Sequence, residues 1–212
     1  MDTRLVHPFT SIVAGPTGCG KTTFVVSLLR HSLTLINLPP EKITWCYGEW
    51  QPLYSTLSTI HTNLECVEGL PDVSSFDSKN RNLLVIDDLM SETDERVTKL
   101  FTKKSHHCNT SVIYLVQNLF PKGKESRTIS INAQYMVLFK NPRDNKQVVN
   151  LAKQMYPGRV KYMQDAFRDA TSVPHGYLFV DLKQSTPELC AFGVISYLTR
   201  RRTSMLTFPR YK

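Results

Sequence analysis

The chain has 212 residues, with 26 Lys and Arg against 18 Asp and Glu and a sequence pI near 9.3. Such a length suits one domain with a sizeable core, and a separate nuclease or DNA-reading domain is not expected to fit beside a nucleotide-binding core within it. The five cysteines (19, 46, 66, 108 and 190) are odd in number, scattered and never in a CxxC pair. That pattern argues for reduced thiols inside a cell and against both a disulfide framework and a zinc finger.

The formal charge of +8 suits a polyanionic partner, and part of it is local: Arg200, Arg201, Arg202, Arg210 and Lys212 follow Leu189 with no acid among them. Residues 1–10 lack the apolar core of a signal peptide, and no apolar run approaches membrane-spanning length, so the expectation is a soluble, intracellular protein without a membrane partner. Residues 1–188 are expected to form one nucleotide-binding domain, with 189–212 as a basic extension of it.

In chain order, residues 9–14 (FTSIVA) read as a short strand that runs into Gly15-Pro16-Thr17-Gly18-Cys19-Gly20-Lys21-Thr22. These eight residues fit the phosphate-binding pattern GxxxxGK[ST] in full. The glycines let the backbone curl so that successive N–H groups face phosphate oxygens, while the following helix offers its positive end. Lys21 is expected on the β- and γ-phosphates and the Thr22 hydroxyl on Mg²⁺, with Thr23 as a second hydroxyl of the cradle. Phe24, Val25, Leu28 and Leu29 form the apolar stripe of the helix that follows, which completes the confirming order of strand, loop and helix. A thiol at Cys19, close to a helix N-terminus, is a candidate for enhanced reactivity.

Pro39-Pro40 closes the next connection, and residues 42–47 (KITWCY) read as a second strand ending at Gly48-Glu49-Trp50. A polar stretch runs to Asn63, followed by an edge-strand candidate at 64–67 and a surface loop through residue 82. Residues 83–86 (LLVI) stop at the adjacent acids Asp87 and Asp88, as a Walker B strand does. Such a strand delivers one carboxylate toward the Thr22-bound Mg²⁺ and a second toward the water that attacks the γ-phosphate. Glu49, at the end of strand 42–47, is the rival for that second role.

Ser91 and Asp94 suit a helix start, with Val97, Leu100 and Phe101 on its buried face. His106, His107 and Cys108 are adjacent ligand types without a second cluster, and read as a solvated or DNA-facing helix end rather than a metal site. Residues 111–116 (SVIYLV) form an apolar strand ending on Gln117-Asn118. Residues 119–132 read as a polar connection carrying Lys122, Lys124 and Arg127. A strand at 135–139, helices after Pro142 and after the Pro157-Gly158 break, and a strand at 177–180 complete the pattern. The five apolar runs that end at Ala14, Ile86, Val116, Phe139 and Val180 are expected to lie parallel, buried on both faces, with ligand groups at their carboxyl edge. Gln117 then belongs near the γ-phosphate.

Gly15 to Thr22, LLVIDDLM (83–90), SVIYLVQN (111–118), SRTISIN (126–132) and FKNPRD (139–144) occur here in an order that resembles the DNA-packaging ATPases of poxvirus type. That group includes the packaging ATPases of Maverick (Polinton) elements and related DNA viruses, within the FtsK-HerA superfamily of P-loop NTPases. The likeness spans roughly residues 9–182. It implies an α/β fold of the additional-strand type: a central, mostly parallel sheet flanked by helices, with the Gln-bearing strand between the P-loop and Walker B strands. It also implies a homo-oligomeric ring that hydrolyses ATP with Mg²⁺ to drive double-stranded DNA into a capsid, with a capsid or portal partner. The expected location is then the host nucleus or cytoplasm, or the virion. By the same resemblance Asp87 supports Mg²⁺, Asp88 takes the place of a water-polarising Glu, Gln117 is a sensor, and Arg127 is lent to the neighbouring subunit's site with Arg143 as runner-up.

Sequence-independent DNA contact would fall to Lys122, Lys124 and Arg200 to Arg202. Two other readings stand beside this one. A P-loop nucleoside or nucleotide kinase would use the same loop for transfer to a small acceptor, and a nucleotide-gated DNA-binding protein would bind without turnover. The first is disfavoured by the strand at 42–47 that intervenes before the acidic pair, the second by the presence of Asp88 and Gln117.

Overall fold

The computed structural model describes residues 4–72, 76–87, 89, 95–104, 108–120, 124–187 and 191–193. Eight strands form one sheet: β1 (Thr10–Ala14), β2 (Lys42–Tyr47), β3 (Leu64–Glu68), β4 (Asn82–Asp87), β5 (Thr110–Val116), β6 (Tyr135–Phe139), β7 (Tyr177–Asp181) and β8 (Phe192–Gly193). Their order is β3-β2-β4-β5-β1-β6-β7-β8. The six strands from β3 to β6 are mutually parallel, whereas β7 pairs antiparallel with β6 and β8 antiparallel with β7. This is the P-loop NTPase architecture, with β5 inserted between β1 and β4 as the additional-strand type requires.

Every residue of β1, β4, β5 and β6 is buried, because helices cover both faces of the sheet and each alternate side chain enters one of two cores. Val13, Leu83, Val85, Ile113 and Leu115 pack under helix α1 (Lys21–Arg30), where Phe24, Val25, Leu28 and Leu29 meet them. Ile12, Leu84, Ile86, Val112 and Tyr114 point to the other face, beneath the helical segments Glu95–Lys99, Lys146–Met155 and Val160–Ala170. Each fully buried Leu, Ile or Val contributes roughly 1.5–3 kcal/mol by leaving water, so the central strands anchor everything attached to their ends.

Three sequence expectations need correction. The apolar run ending at Val180 is not a parallel strand: Tyr177 lies beside Phe139 and Asp181 beside Tyr135, so Asp181 sits at the amino edge, away from the ligand edge. A single crossover helix returns the chain to the amino edge, but here the two helices Lys146–Met155 and Val160–Ala170 form a hairpin that brings it back to the carboxyl edge. A strand starting there must run the other way. Residues 119–132 are not wholly a loop, since Lys124–Ile131 is helical with Ile129 and Ser130 buried. The polar stretch after Trp50 contains a 3-10 helix, Pro52–Thr59, whose three-residue turn puts Tyr54 and Leu57 on one buried face. The edge-strand candidate at 64–67 is present as β3, and β8 lies within the segment read as a basic extension.

Candidate nucleotide-binding site

β1 ends at Ala14, level with Val116 of β5, and the Gly15 N–H donates to the Val116 carbonyl at 3.1 Å. From there the chain curls: Cys19 N–H reaches back to the Pro16 carbonyl at 3.3 Å, and Gly18 and Gly20 take φ of 76° and 110°, which side-chain-bearing residues rarely adopt. Gly20 is the N-cap of α1 and supplies no side-chain cap, so the first N–H groups of the helix remain directed into the loop. Gly15 has a different reason to be glycine. A Cβ there would lie 2.7 Å from both Cys19 Sγ and Phe139 Cβ.

Lys21 Nζ donates to the carbonyls of Gly15 at 2.7 Å and Pro16 at 3.1 Å, which holds the ammonium across the mouth of the loop. Both acceptors are neutral, so phosphate oxygens can replace them with a gain in charge complementarity. The Thr22 hydroxyl donates to Asp87 Oδ2 at 3.3 Å, across two strand positions, since β4 is separated from β1 by β5. Asp87 is 4% exposed and also accepts the Tyr54 hydroxyl at 3.0 Å on the same oxygen. The donor set of one carboxylate and one hydroxyl beside a phosphate-binding loop fits Mg²⁺, which takes few protein oxygens and completes its octahedron with phosphate and water. Among the described residues no three His, Cys, Asp or Glu side chains stand together as an all-protein metal cage.

Gln117 follows β5 directly and is exposed beside Gly15 at the start of the loop. It lines a groove with Gly15, Phe139, Asn141, Asp144 and Gln147. Gln147 is fixed there, donating to Asp144 Oδ2 and accepting from the Leu119 N–H, each at 2.8 Å. Arg143 is exposed in the turn beyond β6, with its N–H on Asn141 Oδ1 at 3.1 Å. Arg127 is exposed on helix Lys124–Ile131, whose Glu125 accepts from Thr98 at 2.9 Å. Glu49 is exposed just past β2, three strand positions or about 14 Å from β1, whereas β4 is only two away. Asp88, Lys122, His106, His107 and Arg200 to Arg202 lie outside the described residues, as does the side chain of Lys124.

The thiol of Cys19 departs from the reactive reading. Burial pushes its pKa up and outweighs the opposing Lys21 ammonium and backbone N–H groups, so it stays protonated at neutral pH. Two further residues complete the site without having been singled out in the sequence. Tyr54 lay in a stretch read as polar, although Leu53, Tyr54 and Leu57 have the spacing of a turn with one apolar face. His175, at φ 58°, sets Nδ1 3.0 Å from the Cys19 carbonyl, and its ring covers Gly20. Since a carbonyl only accepts, Nδ1 carries the proton in this contact. Reading β7 as parallel would have put His175 at the wrong edge of the sheet.

No family profile matches the chain, and no curated protein does. Among the described residues no helix is long and apolar enough to cross a membrane. Solved structures do match. The genome packaging NTPase B204 from Sulfolobus turreted icosahedral virus 2, in complex with AMPPCP, superposes with a TM-score of 0.58 at 13% identity, over 88% of this chain and 96% of B204. Its complex with sulfate gives 0.57 at 13% identity over 88% and 95%, and its complex with ATP-gammaS gives 0.56 at 13% identity over 84% and 95%. At such identity the likeness is one of fold, and it covers both chains almost from end to end.

Proposed function

We propose that this chain is an ATP-hydrolysing motor that translocates double-stranded DNA, acting in viral-type genome packaging. The observation that carries this reading is the convergence of Lys21, Thr22, Asp87 and Gln117 from β1, β4 and the inserted β5 on one sheet edge. A phosphate grip, a cation-directed carboxylate and a polar sensor together are what hydrolysis of a γ-phosphate needs, beyond mere binding. The end-to-end overlap with B204, a genome packaging NTPase of comparable length, supports the packaging assignment within the superfamily. The motif likeness to Maverick and poxvirus-type enzymes narrows it further.

In this reading ATP lies on the loop 15–22, Lys21 and the N–H groups of α1 neutralise its phosphates, and Thr22 and Asp87 hold the Mg²⁺ that offsets the remaining charge. Asp88 polarises the water, with Glu49 as the rival base, and Gln117 senses the γ-phosphate. Arg127, exposed on its helix, completes the site of the next subunit in a ring, with Arg143 as the other candidate. Lys122, Lys124 and Arg200 to Arg202 contact DNA without regard to sequence, and a capsid or portal protein receives the ring.

Steady-state ATP hydrolysis with and without double-stranded DNA, together with the native mass of the ATP-bound protein, tests the reading. Stimulation by DNA of any sequence, weakening with salt, in a closed oligomer is the expected result. ATP turnover indifferent to DNA in a monomer, or phosphate transfer to an added nucleoside monophosphate, would overturn it. Mixed rings of Arg127→Ala and Lys21→Ala subunits should regain part of the activity that each lacks alone.

A further inference from the structure

Asp87 Oδ2 accepts two hydroxyls, from Thr22 at 3.3 Å and from Tyr54 at 3.0 Å. The second does not belong to the loop, β4 or β5. It comes from the 3-10 helix Pro52–Thr59 beyond β2, and its ring is held far more firmly than hydrogen bonding alone requires. Tyr54 is 2% exposed, with its centroid 5.7 Å from Trp45, 5.5 Å from Tyr47 and 5.6 Å from Trp50, the last edge-on. β2 and β4 run in register, Tyr47 level with Asp87, so the aromatic cluster stands directly beside the carboxylate. The hydroxyl position is therefore preset by packing before any ligand arrives.

A carboxylate with no fixed donor can turn about its side-chain bonds, and the packed Tyr54 hydroxyl sets the direction of Oδ2. With Oδ2 so fixed, Thr22 donates its own proton to it and keeps its oxygen lone pairs for a cation. We propose that Tyr54 is a positioning residue for the divalent cation that accompanies the nucleotide, acting through Asp87 on Thr22. This rests on the nucleotide-hydrolysis reading above and adds to it a support residue from outside the two nucleotide motifs.

Tyr54→Phe removes one oxygen and keeps the ring among its neighbours. Mn²⁺ serves as the probe: free Mn²⁺ is read by electron paramagnetic resonance as it is titrated into the full-length protein saturated with AMPPCP, and AMPPCP affinity is measured separately in EDTA. The substitution is expected to weaken Mn²⁺ binding by about tenfold or more, as loss of a support residue behind a metal ligand does, while metal-free nucleotide affinity stays within about twofold. In an Asp87→Asn background the same substitution should change Mn²⁺ affinity little, because the group through which it acts is already altered. Unchanged Mn²⁺ affinity in Tyr54→Phe, or equal losses with and without metal, would overturn the proposal. So would an undiminished effect in the Asp87→Asn background. A wild-type protein that binds AMPPCP but takes up no Mn²⁺ with it would instead overturn the hydrolysis reading, and this proposal with it.

Discussion

At the amino edge of the sheet, polar side chains are buried and consume one another. His7 Nδ1 lies 2.6 Å from Ser111 Oγ and Nε2 2.9 Å from Asn109 Oδ1, the Phe9 N–H donates to Ser111 Oγ at 3.1 Å, and Thr10 donates to the Asn132 carbonyl at 2.8 Å. Lys183 closes the same edge, its Nζ 3.4 Å from Asp181 and 5.1 Å from the Tyr135 ring centroid. At the carboxyl edge Gln117, Thr23 and Arg143 are exposed, and Lys21 rests on carbonyls it can exchange. β5 joins the two, with Ser111 near its start and Gln117 just past its end, about 20 Å apart at 3.3 Å per residue. One end of the strand is closed by internal hydrogen bonds and the other leaves polar groups exposed at the proposed nucleotide site, so substitutions at the two ends should separate fold from activity.

The largest effect is expected at Lys21. Lys21→Ala removes the only side-chain cation of the 15–22 loop, and ATP hydrolysis should fall by about a thousandfold or more, on the scale of losing a group that neutralises transition-state charge. Its hydrogen bonds in the structure go to the part-buried carbonyls of Gly15 and Pro16, which a vacated phosphate site leaves open to water, so unfolding free energy should change by no more than about 1 kcal/mol. Comparing turnover with a urea melt of the same variant checks both halves. A melt shifted by several kcal/mol would erase the contrast between the edges.

Gly15→Ala probes the seam where the loop leaves the sheet. Its new methyl would sit 2.7 Å from Cys19 Sγ and from Phe139 Cβ, and the latter belongs to a buried side chain of β6 that cannot swing away. The loop must shift instead, with a cost of about 1–3 kcal/mol for overpacking. Nucleotide affinity should fall by about tenfold or more, read by titration with a fluorescent ATP analogue. Unaltered affinity would mean that the loop geometry tolerates displacement.

Ser111→Ala should do the reverse. It strands the Phe9 N–H and one nitrogen of His7 in a buried site, costing about 1–3 kcal/mol of stability while leaving ATP turnover per folded molecule unchanged. Urea denaturation and turnover again separate the two effects, and a loss of turnover matching that of Lys21→Ala would show the edges to be coupled through β5.

The contrast between the edges also decides what the sequence could disclose. The loop 15–22, the acid at 87 and Gln117 were legible because each is a local pattern: glycines and a lysine at fixed spacing, or a continuous apolar run ended by a polar residue. The inserted position of β5 rested on resemblance, since strand order is a tertiary fact that no run of β5 residues encodes. The direction of β7 is hidden from the sequence for a related reason. An apolar run buried on both faces looks the same in either direction, and only the helical hairpin before it sets the edge at which it begins. Tyr54, His175 and the His7 network depend on contacts between segments far apart in the chain. For Tyr54 the three-residue apolar spacing was a usable local signal, while for His7 nothing in the residues around it named Ser111 or Asn109.

The smallest effect expected concerns pH and isolates the amino edge. Asn109 Nδ2 donates to the Asn80 carbonyl at 3.0 Å, which orients the amide so that its oxygen faces His7 Nε2. That nitrogen must then be the donor, and in the neutral ring Nδ1 accepts from the Ser111 hydroxyl. A second proton would have to enter at Nδ1, where it meets a hydroxyl already donating. Burial is the largest cause that lowers the His7 pKa, with Arg81 adding to it, while the Asn109 hydrogen bonds and Glu41 oppose. The folded protein thus binds this proton less readily than the unfolded chain, whose histidine titrates near about 6.5. Stability contributed by neutral His7 is therefore fully present above that value, and it declines as pH falls from there through the lower folded value. His7→Gln should flatten this part of the profile, measured as the urea midpoint between about pH 5 and 8 at fixed ionic strength. A wild-type midpoint that rises on acidification across this window, or a slope that His7→Gln leaves intact, would assign the titration to another group. It would also remove the proton balance from the account of how the amino edge is held.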